Sequence, residues 1–234
     1  MHDANLRMAR KLNLYPSVTS VLALWPKPAL DNYKVEQAIL AAITLPRLGH
    51  ESDDAFAKRV VIDSEAHRKD AAQFGRRLHN IAESIGKGED LVFEREFNNY
   101  VPRIRAWFDE NIEQALSTET VVVSTHEGYA GTYDMLARTK KWGTALIDYK
   151  TQGVKASGPN FYDTWEYQLV AYGDVIEEKM PGFVDNFVSV IINSATPDEL
   201  VVKVWNRSDQ IRSFKNFQIC LNLWKASRNY FPHA

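Results

Sequence analysis

Three β-rich runs separated by turn residues constrain this chain more than any other stretch. They are "ETVVVSTHE" (119–127), "YAGTYDMLAR" (129–138) and "GTALIDYKT" (143–151), rich in the β-branched and aromatic residues that suit a pleated, half-buried surface. The short "TKKWG" (139–143) reads as a hairpin turn, which makes the last two runs antiparallel neighbours. Two acids interrupt the apolar runs. Asp134 follows "GTY", Asp148 follows "TALI", and Lys150 comes two residues after Asp148. A polar group in such a place carries a burial cost unless it is paired or coordinated. With matched register both carboxylates can point to one side near one end of the sheet, and Asp148 and Lys150, at i and i+2, share a face. Adjacent carboxylates raise each other's pKa unless a cation sits between them. Hard oxygen donors suit Mg²⁺ or Mn²⁺, and a neighbouring lysine can orient a water or stabilise charge on a phosphoryl oxygen. An isolated Asp-x-Lys is a common solvated pattern; its position inside apolar runs is what gives it weight here.

The flanking segments have a different character. "YPSVTSVLALW" (15–25) reads as a turn and a short helix capped by Ser17 or Thr19, broken by Pro26 and Pro28. Helical spacing continues over 31–44, with Asp31 as a cap, over 52–85, ended by Gly86 and Gly88, and over 101–116. After the strand block come a helix over 161–180, strands over 186–194 and 199–206, and a closing helix over 207–231. No Pro/Ser/Gly linker divides the chain. The expectation is one α/β domain over 1–234, mainly helical over 1–118, with an αβ core over 119–234: a mixed central β-sheet flanked by helices, with an N-terminal helical extension.

Composition narrows the function. Hydrophobic residues at 45% and charged residues at 25% are ordinary for a globular chain and argue against disorder. A net charge of −2 excludes a generic basic nucleic-acid coat but not a local basic groove. The one cysteine, Cys220, rules out an internal disulfide, a four-cysteine zinc site and an iron–sulfur cluster, and fits a reducing compartment. No apolar run approaches the ~18 residues of a membrane span, and no signal-peptide core is visible.

"EGYAGTYDML…ALIDYKT…YQLVAY", preceded by the helical "FGRRLHNIAE" (74–83), resembles the PD-(D/E)XK nuclease superfamily in its RecB-like, restriction-endonuclease-like branch. The opening "YPSVTSVL" is similar to that of the mitochondrial genome maintenance exonuclease group. The motifs run in the family's order from about residue 15 to 175. A Gly131-Thr132-Tyr133 precedes Asp134 where the family's name has proline. The resemblance implies that His79, Asp134 and Asp148, with the carbonyl of Tyr149, hold Mg²⁺ or Mn²⁺. It makes Lys150 the catalytic lysine, and Gln168 and Tyr172 the helical Q-x-x-x-Y that orients active-site or DNA groups. The histidine ligand makes Mn²⁺ as plausible as Mg²⁺.

Glu127, just before the second motif, is a candidate for a second metal or a supporting hydrogen bond; Glu94 and Glu96 read as surface charge. Lys58, Arg59, Arg68, Lys69, Arg76 and Arg77 repeat along one helix, a pattern that is either a solvated face or a phosphate track. Arg59, Arg76, Arg77, Lys155, Thr151 and Ser17 are the candidates for nucleic-acid contact, and Trp25, Tyr33 or Trp165 for base stacking. The expected function is a metal-dependent DNA exonuclease favouring single strands or free ends. The alternatives are a non-catalytic nucleic-acid-binding module or a metal-dependent phosphoesterase of small substrates. The expected setting is a monomer away from membranes, in a bacterial cytoplasm or a phage-infected one rather than a mitochondrion.

Overall fold

The computed structural model describes residues 6–89, 92–154, 156, 158–197 and 200–232. The chain gathers into two compact units, one built from residues 1–25 and 78–234, the other from residues 26–77.

The larger unit is centred on a five-stranded sheet of order β1-β2-β3-β4-β5, with β1 Ile112–Ser124, β2 Tyr129–Thr139, β3 Gly143–Gln152, β4 Asn186–Asn193 and β5 Leu200–Trp205. Pairing is antiparallel except between β3 and β4, which run parallel. A parallel pair needs a crossover, and helix α6 (Asp163–Lys179) supplies it. The expected mixed α/β sheet flanked by helices is the architecture found.

Side chains alternate along β3 between two packed faces. Leu146 joins a cluster with Leu136, Leu169, Tyr172 and Phe187 on the α6 side. On the other face the Tyr149 ring lies over Phe108 (6.0 Å, 30°) and meets Trp107 edge-on (6.2 Å, 84°), both from α5 (Val101–Asn111). Helix α7 (Gln210–Arg228) packs against α6, and its end is set by Asn229 in the left-handed conformation (φ +43°).

Two short N-terminal helices, α1 (Leu6–Leu12) and α2 (Val18–Leu22), belong to the same unit. In α2 the expected cap is present: Ser17 Oγ accepts from the Ser20 N–H at 3.1 Å. Val18, Val21 and Leu22 of this five-residue helix are all buried. Pro16 accepts from the Ala130 N–H (2.9 Å), tying the segment to β2.

The smaller unit contains α3 (Pro28–Thr44) and the first part of α4 (Asp53–Lys87). Pro28 opens α3 at its first turn instead of breaking a helix, which suits a residue without an N–H, and Asp31 falls inside that turn. Arg59 makes a two-pronged bond to Glu51 (2.7 and 2.8 Å) and donates to the Pro46 carbonyl (2.8 Å).

Two local expectations are corrected. The helix expected over 101–116 stops at Asn111, and residues 112–118 belong to β1, paired through Ile112↔Thr139 and Ala115↔Ala137. Cross-strand pairing outweighs a helical periodicity that was weak at that end. Helix α4 also runs through Gly86 to Lys87. A Cβ on Gly86 would overlap Met135 and press on Phe108, so this glycine permits close approach, whereas Gly88, at φ +69°, provides the helix exit.

Replacing Ser17 by alanine should remove the cap of α2 and lower stability by about 1 kcal/mol. Urea unfolding at constant pH measures it, and an unchanged midpoint would contradict the capping role.

Candidate metal centre

The β2–β3 ladder runs from Thr139↔Gly143 to Met135↔Ile147 and ends there, although both strands continue. One step further the same register would set Asp134 opposite Asp148. The two acids therefore stand where the strands part. In place of a ladder bond, Asp134 Oδ2 accepts from the backbone N–H of Tyr149 at 2.7 Å. The strands are antiparallel neighbours, as anticipated, and their register holds up to the residues adjoining the two acids, Met135 and Ile147.

A third acid completes the row. The pairs Thr118↔Met135 and Thr120↔Tyr133 flank Glu119, which puts it opposite Asp134. Glu119 has φ +42°, a left-handed conformation that costs a residue with a side chain about 1–2 kcal/mol. Such strain persists only when the surroundings impose it, and it concentrates at functional sites. Sequence patterning does not single out Glu119, which opens the β-rich run at 119 while its strand begins seven residues earlier, at Ile112.

His79 of α4 reaches both acids. Its Nε2 lies 2.8 Å from Asp134 Oδ2 and its Nδ1 lies 3.8 Å from Glu119 Oε1. Its ring meets that of Tyr149 edge-on, with centroids 6.1 Å apart. His79, Glu119 and Asp134 each offer a ligand atom within 4.8 Å of the others and could hold a metal ion. Asp134 is largely withdrawn from solvent, its side chain 10% exposed. The expected set named Asp148 where this cluster has Glu119. Asp148 lies next in the row, its side chain 2% exposed, and pairs with Lys150 Nζ at 2.8 Å. Lys150 also donates to Gln168 Oε1 (3.1 Å), and Gln168 Nε2 donates to the Tyr172 hydroxyl (3.3 Å). Asp148, Lys150, Gln168 and Tyr172 thus form one connected chain, from β3 onto α6.

The donor set fits a divalent cation on two grounds. Glu119 Oε1 and Asp148 Oδ2 are buried without a hydrogen-bond partner, although Lys150 Nζ lies at ion-pair distance from the latter. Buried oxygens of this kind call for a ligand or an ion. Three carboxylates against one ammonium also leave two negative charges when His79 is neutral, the charge that one Mg²⁺ or Mn²⁺ would balance.

Protonation in the metal-free chain carries the same imprint. Burial pushes the Asp148 carboxyl up to about 7; the neighbouring Lys150 opposes this and the Asp134 charge reinforces it. Burial raises Glu119 as well, helped by the Asp134 charge. Burial alone would lower His79, but the hydrogen bond and charge of Asp134, with the charges of Glu119 and Asp148, raise it.

The remaining candidates lie in several places. Glu127 sits in the β1–β2 turn, its carboxylate accepting from Gln218 (2.7 Å) and its carbonyl from Lys225 (2.6 Å), both on α7. Thr151 is half-buried on β3, paired with Ile192. Tyr149 spends its N–H on Asp134, and its hydroxyl points to Met135 Sδ at 3.5 Å. Ser17 is engaged in its cap, and Arg59 with Glu51 and Pro46. Arg76 is exposed and Arg77 half-buried on α4, while Lys155 lies outside the described residues.

No protein-family model and no curated protein matches the sequence. One solved structure similar in fold is described as a "putative exonuclease" from Eubacterium rectale. It is 11% identical, with 98% of this chain and 86% of that one covered, at a TM-score of 0.47.

Two outcomes follow. All three shifted groups have folded pKa values above their ordinary ones, so the folded chain holds their protons more tightly than the unfolded chain does. The stability they contribute is complete below the ordinary carboxylate pKa of about 4 and is lost as pH rises through about 7. In EDTA, the urea midpoint should fall between pH 5 and pH 8 less steeply for Asp148→Asn than for the parent, and Mn²⁺ should raise the parent's midpoint more at pH 8 than at pH 5. Identical pH slopes for the two proteins would refute the assignment. Separately, a Cβ on Gly131 would overlap the Tyr172 ring. Gly131→Ala should displace that ring from Gln168 and cost about 1–3 kcal/mol in urea unfolding; a neutral effect would show that Tyr172 is not fixed there.

Proposed function

We propose that this chain is a RecB-like nuclease of the PD-(D/E)XK superfamily, a metal-dependent exonuclease that hydrolyses DNA phosphodiester bonds and favours single strands or free ends. One observation carries the reading: a row of three carboxylates from three adjacent strands converges on His79, ends at a buried Asp148–Lys150 pair, and contains two buried oxygens without a hydrogen bond. Lys150 pairs with Asp148, and the rest of the row keeps negative charge and a lone pair of Glu119 Oε1 for a cation.

His79, Glu119 and Asp134 would hold the ion, with Asp148 beside them. When bound, Mg²⁺ or Mn²⁺ would draw electron density from the phosphodiester and make water a better nucleophile at neutral pH. The protein's own part is positional. Asp148 holds the Lys150 ammonium in place, and Gln168 fixes its direction from α6. Lys150 can then donate to an attacking water or to a phosphoryl oxygen as negative charge builds there. Tyr172 holds the Gln168 amide, so that its oxygen faces the lysine. Arg76, Arg77, Thr151 and Lys155 are proposed as contacts to the nucleic-acid backbone.

Purified protein should shorten end-labelled oligonucleotides in Mg²⁺ or Mn²⁺ and not in EDTA. Asp148→Asn and Lys150→Ala should each lower the rate by at least about a hundredfold while remaining folded by circular dichroism. Glu119→Gln should weaken Mn²⁺ binding in titration calorimetry. Parent-like cleavage by either of the first two variants would sink the assignment. Binding without cleavage would favour a non-catalytic module, and hydrolysis of small phosphoesters unaffected by added oligonucleotide would favour a phosphoesterase.

A further inference from the structure

Four aromatic rings stand where α6 begins, on the α6 side of the sheet. Tyr162, the residue before the helix, is 36% exposed and meets Trp165 edge-on (5.1 Å, 84°). Trp165 meets Phe161 (6.1 Å, 84°), and Phe161 meets Trp205 of β5 (6.4 Å, 88°), again edge-on. Trp205 is anchored from below, its indole N–H donating to Ser189 Oγ at 2.9 Å. A cation lies over this group: Lys203 Nζ is 4.1 Å from the Trp205 centroid and 5.2 Å from that of Phe161.

Two geometric facts connect the group to the metal centre. Along α6, Trp165, Gln168 and Tyr172 fall at i, i+3 and i+7, one continuous stripe, and Trp165 precedes Gln168 by only about 4.5 Å of helical rise. Across the sheet, Asp148 pairs with Ser189 and Ser189 with Lys203, so the row of acids ends in this lysine. Two strand spacings place the Lys203 backbone about 10 Å from that of Asp148. Rings with an exposed leading member, and a cation beside them, follow directly from the residues proposed to meet the scissile bond. Bases present π faces whatever their identity, and unpaired bases stack on such rings with their phosphates drawn to nearby cations. Paired bases in a duplex have no free face to offer.

We infer that Tyr162 and Trp165 form a stacking subsite for an unpaired base next to the scissile phosphodiester, with Lys203 attracting an adjoining phosphate. The inference rests on the nuclease reading, and names single-stranded nucleic acid as the ligand and α6 as the side from which it enters.

The test uses the full chain carrying Asp148→Asn, so that DNA is bound without being cut, and fluorescence anisotropy with a labelled twelve-nucleotide oligothymidylate in Mn²⁺. Adding Tyr162→Ala should weaken binding by about fivefold or more, the loss of one base stack. A set of oligonucleotides, each with one abasic position, should show a similar loss at one or two positions. That position-specific loss should vanish in the Tyr162→Ala protein, as a purely structural role for the ring would not make it do. Lys203→Gln should reduce the salt dependence of binding. Equal affinity with and without Tyr162→Ala, or an abasic profile that the substitution leaves unchanged, overturns the inference while cleavage by the parent leaves the nuclease reading standing. Absence of both binding and cleavage in the parent removes both. An effect of Tyr162→Ala on oligomeric mass, with oligonucleotide affinity intact, would make the rings a protein contact and also overturn it.

Discussion

The hydrogen bond from the Tyr149 N–H to the Asp134 carboxylate is the interaction on which the candidate site depends. It replaces a strand-to-strand bond at the point where β2 and β3 part. Had the ladder continued, Asp134 and Asp148 would face each other as an ordinary cross-strand pair of like charges, an arrangement that destabilises a sheet. Because it stops, one oxygen of Asp134 satisfies the backbone of β3 and also reaches His79. Asp148 is left to pair with Lys150 two residues along the same strand. The split also frees the α6 side of β2, where the Tyr172 ring comes down on Gly131. The glycine that stands in the "GTYD" segment is thus explained by the tyrosine of the Q-x-x-x-Y helix, residues separated by forty-one positions in sequence and in close approach in space.

The crowded, buried donors around this split could hold a metal ion. Protonating Asp148, Glu119 and His79 is the metal-free chain's own remedy for crowded negative charge, and each of the three is shifted toward its protonated form. A proton and a divalent cation are alternative solutions to one problem. Lys150 offsets part of the charge for Asp148, and Lys87 of α4, itself paired with Glu83, offsets part of it for Glu119. The consequence is a division of labour along the row: oxygen and nitrogen donors at one end, a fixed ammonium at the other, and Asp148 joining them.

Much of this could be read from the sequence, because it depends on local patterns. Strands β2 and β3, their hairpin turn, and the shared face of Asp148 and Lys150 follow from alternation and turn chemistry, and helix α6 follows from its periodicity and its stop before Pro181. The parts that could not be read depend on partners far along the chain. Residues 112–118 look helical by themselves and become strand only because β2 is there to pair with them. That misplaced boundary hid Glu119, whose left-handed backbone no propensity scale assigns to a glutamate. Arg59, by sequence either a solvated residue or a phosphate contact, is met by both oxygens of Glu51, eight residues earlier, a pairing that no sequence pattern announces. Glu127, an acid adjacent to the motif, is held by Gln218 of the last helix, a partner equally invisible in local sequence.

The distribution of broken local rules makes the strongest structural argument for a site. A non-glycine residue in the left-handed region, a fully buried carboxylate, a carboxylate oxygen buried without a hydrogen bond, and a ladder that ends while its strands continue all occur within three neighbouring strands. Each is unfavourable by itself. Elsewhere Leu146, Val188 and Ile191 fill the core and Trp205 finds a partner for its indole N–H, while the β1–β2 pair shifts register between Ile112 and Gln114 and between Ala115 and Ser117. Folding selects for mutually consistent local choices, so departures should scatter if they are merely tolerated and coincide if a function holds them in place. Single departures do occur elsewhere, as the positive φ of Asn13, His50 and Asn229 and the unbonded buried atoms of Arg103, Trp107, Glu166 and Ser213 show, but several kinds fall together around Glu119, Asp134, Asp148 and the His79 that faces them. A single ligand with two positive charges would relieve the burial and the repulsion together.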